Sequence, residues 1–137
     1  MGAGLTLDRM MESAPEFVRR PTKAEVLDIL QDRSVYVPWG IYAEDVGNIQ
    51  HVVLLDDRVL TQILPEGRDV EVHICCKMRD RANVRKVLLQ AIMWIKGCGA
   101  RAIYTTAPED RAALKLMLQK LGFQELGKRW VLWDSIQ

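Results

Sequence analysis

The chain has 137 residues, 49% apolar and 27% charged. That is enough to bury a core without disulfides or a metal, and one domain over residues 1–137 is expected. Nineteen Lys and Arg against eighteen Asp and Glu leave a formal charge of +1, which excludes a global field toward nucleic acid or an anionic membrane. No apolar stretch is long enough to span a bilayer and no charged-then-apolar signal segment opens the chain, so a soluble, cytoplasmic protein without a membrane partner is expected.

Residues 1–20 are mixed and suggest no element. Met1-Gly2 with Thr6 formally fits an N-myristoylation pattern, one short enough to arise by chance. A helix follows: Thr22 and Glu25 have capping-box spacing, Pro21 precedes them, and Val26, Leu27 and Leu30 repeat at helical spacing. It should end near Ser34, before Val35, Tyr36 and Val37. Residues 39–76 read as extended, with short runs at Ile41–Ala43, Ile49–Leu55, Val59–Leu64 and Val70–Cys76. Gly47-Asn48, Asp56-Asp57 and Pro65-Glu66-Gly67 supply the turns, and such short connections predict antiparallel pairing.

The second half changes period. Val84, Val87, Leu88, Ala91 and Ile95 form one helical stripe, stopped by Gly97 and Gly99. Ala102–Thr105 reads as a strand. Pro108 suits the first turn of a helix carried by Ala113, Leu114, Met117 and Leu121 and ended by Gly122. Phe123–Leu126 and Trp130–Trp133 then close a hairpin about Gly127-Lys128. Strand, helix and strand from Val70 to Thr105 form a βαβ unit, so those two strands should be parallel. The fold class is therefore α/β (α+β), with a mixed, mostly antiparallel sheet, one parallel pair and helices on both faces.

Cys75, Cys76 and Cys98 have no metal-ligand spacing, and neighbours on a strand point to opposite faces. Reduced, buried thiols and no metal site are expected. His51, placed in a strand, reads as a structural histidine. Trp130 and Trp133 have opposite parity, so one should fill the core while the other is exposed or covers a partner, as in a homodimer. Trp94 lies off the helix stripe and either widens the buried face or marks a second contact.

An antiparallel meander, a long strand, a basic turn, a helix, a parallel strand, and a helix ending Lys120-Leu121-Gly122-Phe123 form an order that resembles the GCN5-related N-acetyltransferase (GNAT) superfamily. The likeness is best over Val70–Phe123, and Val70–Ile74 looks like the family's central fourth strand. The resemblance implies acetyl-CoA as acyl donor, with its pantetheine arm between strands 70–76 and 101–105, and an amine of a small molecule or protein as acceptor. Backbone groups of Ile74, Cys75 and Cys76 would hold the arm. The segment Arg79, Arg81, Ala82, Asn83, Val84, Arg85 and Lys86 would hold the phosphates through guanidinium groups and N–H groups at a helix start. The bland alternative for these cations is a solvated basic rim. Nucleic acid fits them less well, because no aromatic residues are interleaved.

Glu71 and His73 share a strand face. One of them would deprotonate the acceptor amine, directly or through water, and histidine as a residue type titrates near neutral pH. Otherwise both point to solvent or to a neighbouring strand in ordinary cross-strand polar pairing. Tyr104 could offer a hydroxyl to the groove or simply pack the sheet.

The sequence also departs from the family pattern. No glycine occurs between Gly67 and Gly97, where the family's phosphate loop is glycine-rich so that backbone N–H groups can approach phosphate. Leu118 stands where the family has a tyrosine acid, so water would have to protonate the departing thiolate. Compact bacteriophage proteins of head assembly or the virion interior show a similar loss. A non-catalytic interaction module with a virion-protein partner is therefore the alternative function.

Overall fold

The structure is a computed structural model that describes residues 4–35, 49–107 and 111–133. The expected extended run at 41–43, the turn at Gly47-Asn48 and the helix start at Pro108 lie outside the described residues, as does Met1-Gly2.

The chain opens with α1 (Leu7–Met11), whose first turn is capped by the Thr6 side chain accepting from the Arg9 N–H. β1 (Val18–Arg19) leads to α2 (Lys23–Leu30). Both halves of the α2 capping box form: Thr22 Oγ1 accepts from the Glu25 N–H at 3.2 Å, and Glu25 Oε1 accepts from the Thr22 N–H at 2.8 Å. The helix stops at Leu30 rather than near Ser34. There the Asp32 carboxylate accepts both the N–H and the hydroxyl of Ser34, a local turn that competes with helix continuation.

A short 3-10 turn, Ile49–His51, stands where the strand was expected to begin. Arg20 donates to the Gln50 carbonyl there, outside the sheet ladder. His51 is exposed, which corrects its reading as a structural strand histidine. β2 (Val52–Leu55), β3 (Val59–Glu66) and β4 (Asp69–Cys75) form the meander. β3 runs through Pro65, which pairs with Val70, so the turn falls at Gly67-Arg68 instead of 65–67. Among the described strands, β4 alone pairs with β3 at Pro65, the edge-like setting in which a missing N–H is tolerated.

After a 3-10 turn (Met78–Asn83) come α3 (Val84–Gly97), β5 (Ala102–Thr105), α4 (Ala112–Lys120), β6 (Gln124–Leu126) and β7 (Arg129–Trp133). Gly99 and Gly122, with φ of +98° and +96°, end α3 and α4 in the left-handed region that favours glycine.

The seven described strands lie in the order β1-β2-β3-β4-β5-β7-β6. Every neighbouring pair is antiparallel except β4 and β5. Helices cover both faces. α2 buries Val26 and Ile29 against Val52, Leu54, Leu60 and Cys75 on one face. α1, α3 and α4 pack on the other, where Cys76 also lies. Trp94 widens the buried face of α3: it is itself buried, and its indole N–H donates to the Met10 carbonyl at 3.1 Å. Trp130 is buried and Trp133 is 48% exposed, as their parity requires.

Arg19 ties this frame together by donating to Glu25 and Asp57 at once. The guanidinium and the capping N–H of Thr22 hold the Glu25 carboxyl down at about 2. A depressed carboxyl contributes stability that is complete above its unfolded value near 4.5 and is lost as pH falls through the folded value. Glu25→Gln should therefore lower the urea midpoint at pH 6. The gap from wild type should close as pH falls from 4.5 toward 2, measured by fluorescence unfolding at stepped pH.

Candidate active site

β4 and β5 share only three rungs: Asp69 with Ala102, Val70 with Ile103 and Glu71 with Tyr104. Beyond them each strand follows its other neighbour. β4 stays paired to β3 as far as Cys75, and β5 stays paired to β7 as far as Thr105. The strands part, and the β5-side edge of Val72–Cys75 has no strand partner among the described residues. Backbone groups along such an edge still require hydrogen-bond partners.

On the α3–α4 side, the gap opens into a cavity of about 30 Å³. Val72, Ile74, Leu88, Leu114, Met117 and Leu118 contribute to its walls, and Thr105 and Thr106 are its polar side chains. Leu118 is 2% exposed and belongs to the core. The volume admits a water or two, so a pantetheine-sized arm requires Leu114 and Met117 to move; both are only partly buried.

The opposite sheet face carries the polar groups. His73 Nε2 lies 2.7 Å from Glu71 Oε2, and the histidine is 5% exposed against 30% for the carboxylate side chain. Strand alternation put them on one face, and burial turned that proximity into a hydrogen bond. Tyr104 is in register with Glu71 on β5, and the Arg129 guanidinium sits 4.9 Å from its ring centre. Burial, then the charges of Glu71 and Glu66, push the Tyr104 hydroxyl up, so it stays protonated near neutral pH. The Arg129 contact joins neighbouring strands through a register that sequence reading does not supply.

The other expected site residues spread over three settings. Ile74 lines the cavity, and Cys75 and Cys76 are buried on opposite faces. Ala82 and Asn83 are exposed in the 3-10 turn, and Val84 turns into the core. Arg85 and Lys86 are exposed on the first turn of α3. Arg79 is exposed and lies 3.9 Å from Asp80. Arg81 donates to the Ser34 carbonyl at 2.8 Å, on the α2 side of the sheet. Arg79 also lines a separate groove of about 710 Å³ bounded by α2, the β2–β3 tip and Lys77–Asp80, whose charges are mixed: Asp28, Asp57 and Asp80 beside Arg58 and Lys77.

Among the described residues, no group of three His, Cys, Asp or Glu side chains could hold a metal. No described helix is long and apolar enough to cross a membrane.

No family model matches the sequence, and no curated protein matches it. Solved structures do. A GCN5-related N-acetyltransferase from Kribbella flavida is 15% identical, with a TM-score of 0.62 over 88% of this chain and all of that one. The ribosomal-protein-S18-alanine N-acetyltransferase from Escherichia coli is 12% identical, with a TM-score of 0.64 over 83% of this chain and 89% of that one. A candidate acetyltransferase from Salmonella typhimurium, solved with its cofactor acetyl-CoA, is 14% identical, with a TM-score of 0.58 over 86% and 94%. The chain has the GNAT fold, and at these identities the likeness is one of fold.

Burial pushes the Cys75 thiol up to about 12 and raises Cys76 as well. Neither is available as a thiolate nucleophile. Under native conditions iodoacetamide should modify the half-buried Cys98 first and leave Cys75 and Cys76 intact until the protein is unfolded, as read by peptide mass spectrometry.

Proposed function

We propose that this chain is an acyl-CoA-dependent N-acyltransferase that moves an acetyl group from acetyl-CoA to an amine of a small molecule or protein. The observation that carries this reading is the edge of Val72–Cys75 that no described strand pairs, beside the hydrogen-bonded Glu71–His73 pair. An extended chain bearing amides can add to an open strand edge as a further strand would, and the apolar wall of Ile74, Leu114 and Met117 suits its methylenes. Exposed Arg79, Arg85 and Lys86 are the cations available to its phosphates.

Acetyl-CoA supplies an activated thioester: the amine nitrogen forms a C–N bond to the acyl carbon as the C–S bond breaks. His73 accepts the proton that the amine loses, directly or through water, and the Glu71 carboxylate, by accepting a hydrogen bond from the ring nitrogen Nε2, orients the ring. A strand N–H near Ile74 or Cys75 donates to the developing oxyanion. With Leu118 in the core, the thiolate leaves protonated by water. The raised thiols argue for direct transfer rather than an acyl-cysteine route.

A specific observation favours a second reading. The cavity is narrow and Arg81 is engaged by Ser34, which suits a non-catalytic GNAT-fold module in a larger assembly such as a virion.

Calorimetry with acetyl-CoA and a thioester-cleavage assay over a panel of amines separate the two. The enzyme reading predicts micromolar binding, weakened at least about tenfold in Arg85→Glu, and turnover lowered about a hundredfold in His73→Gln with binding retained. No binding heat at high protein concentration would contradict it and leave the assembly module.

A further inference from the structure

We propose that Ser34 is the positioning residue of the turn that leads into α3: it caps that turn from a distant part of the chain and so sets the shape of the segment that meets the coenzyme's phosphates. The proposal rests on the acyltransferase reading only for what the turn binds.

The first N–H groups of a helical turn have no partner within it. At the start of Met78–Asn83, Lys77 holds the N-cap position but makes no side-chain cap. Ser34 fills that role across 44 positions of sequence: its Oγ accepts the Met78 N–H at 2.9 Å. The hydroxyl proton is already committed, because Ser34 Oγ donates to Asp32 Oδ1 at 2.6 Å and the Ser34 N–H donates to the same oxygen at 2.9 Å. The lone pairs of Oγ are thereby left to face Met78. Those two donors also hold the Asp32 carboxyl below the usual carboxylate range, so the anchor stays charged.

Two more contacts from the same end of α2 fix the rest of the segment. The Ser34 carbonyl accepts Arg81 Nη2 at 2.8 Å, and Asp28 Oδ2 accepts Lys77 Nζ at 2.6 Å. The segment carries no glycine, so its course is not dictated by torsions that only glycine adopts. Ser34 instead ties its beginning and its middle to a separate element. With Arg81 engaged this way, Arg79, Arg85 and Lys86 are left at the surface, and their spacing follows from where the turn is capped. Ser34 acts on phosphate affinity through the turn, without touching the phosphate.

The test compares wild type, Ser34→Ala and Ser34→Thr by amide hydrogen exchange over 77–84 and by steady-state kinetics with acetyl-CoA. In Ser34→Ala, the Met78 amide should exchange about tenfold faster. KM for acetyl-CoA should rise by about the same factor with kcat and the amine KM unchanged, and Ser34→Thr should restore both. Asp32→Asn, which keeps the shape but weakens the anchor, should move both readouts in the same direction and replaces Ser34→Ala if that variant does not fold. Unchanged exchange at Met78 overturns the proposal, as does an unchanged KM in a variant whose wild type binds acetyl-CoA. If wild type binds no acetyl-CoA, the acyltransferase reading fails by itself, and faster exchange in Ser34→Ala still establishes the cap.

Discussion

Everything in this molecule that bears on chemistry follows from a parallel pairing that stops early. β4 and β5 are held together over Asp69–Glu71 and Ala102–Tyr104, and then each is drawn away by a longer antiparallel partner, β3 on one side and β7 on the other. Antiparallel ladders on the flanks outcompete a slightly weaker parallel one in the middle. What remains is a strand edge inside the sheet, walled on one face by α3 and α4 and lined on the other by Glu71, His73 and Tyr104. An open edge in the centre of a sheet is an unsatisfied hydrogen-bonding surface that an extended ligand can complete.

The turn that leads into α3 carries no glycine, and its arginines divide between the surface and the end of α2. Leu118 packs in the core, and its neighbours narrow the gap. Direct transfer to an amine tolerates these features better than other chemistries would. It needs a base, an oxyanion donor and a leaving group whose thiolate is stable close to neutral pH. The His73–Glu71 pair and the strand edge that no described strand covers are the two features that such a reaction, as proposed, would use.

The parts legible in the sequence are those set by short-range rules. The Thr22–Glu25 box, the glycine stops after α3 and α4, the hairpin at Gly127-Lys128 and the shared face of Glu71 and His73 depend on residues a few positions apart. The parallel pair was legible because a strand-helix-strand connection allows little else. α1 escaped because five residues are too few to show a period. β3 ran past Pro65 because proline is forbidden only where a second strand needs its N–H. In the site, the Ser34–Met78 bond and the Arg129–Tyr104 contact join residues that only the assembled sheet and helices bring together. No local pattern announces them.

The claim at the centre of this account is that the open edge of β4 receives the acyl donor. A ¹⁵N-resolved NMR titration with acetyl-CoA tests it residue by residue. Saturable shifts of the Val72–Cys75 amides are expected, together with those of Thr105 and Thr106. Amides there that stay unmoved at saturating ligand, or shifts confined to the groove beside Asp57 and Arg58, would contradict it.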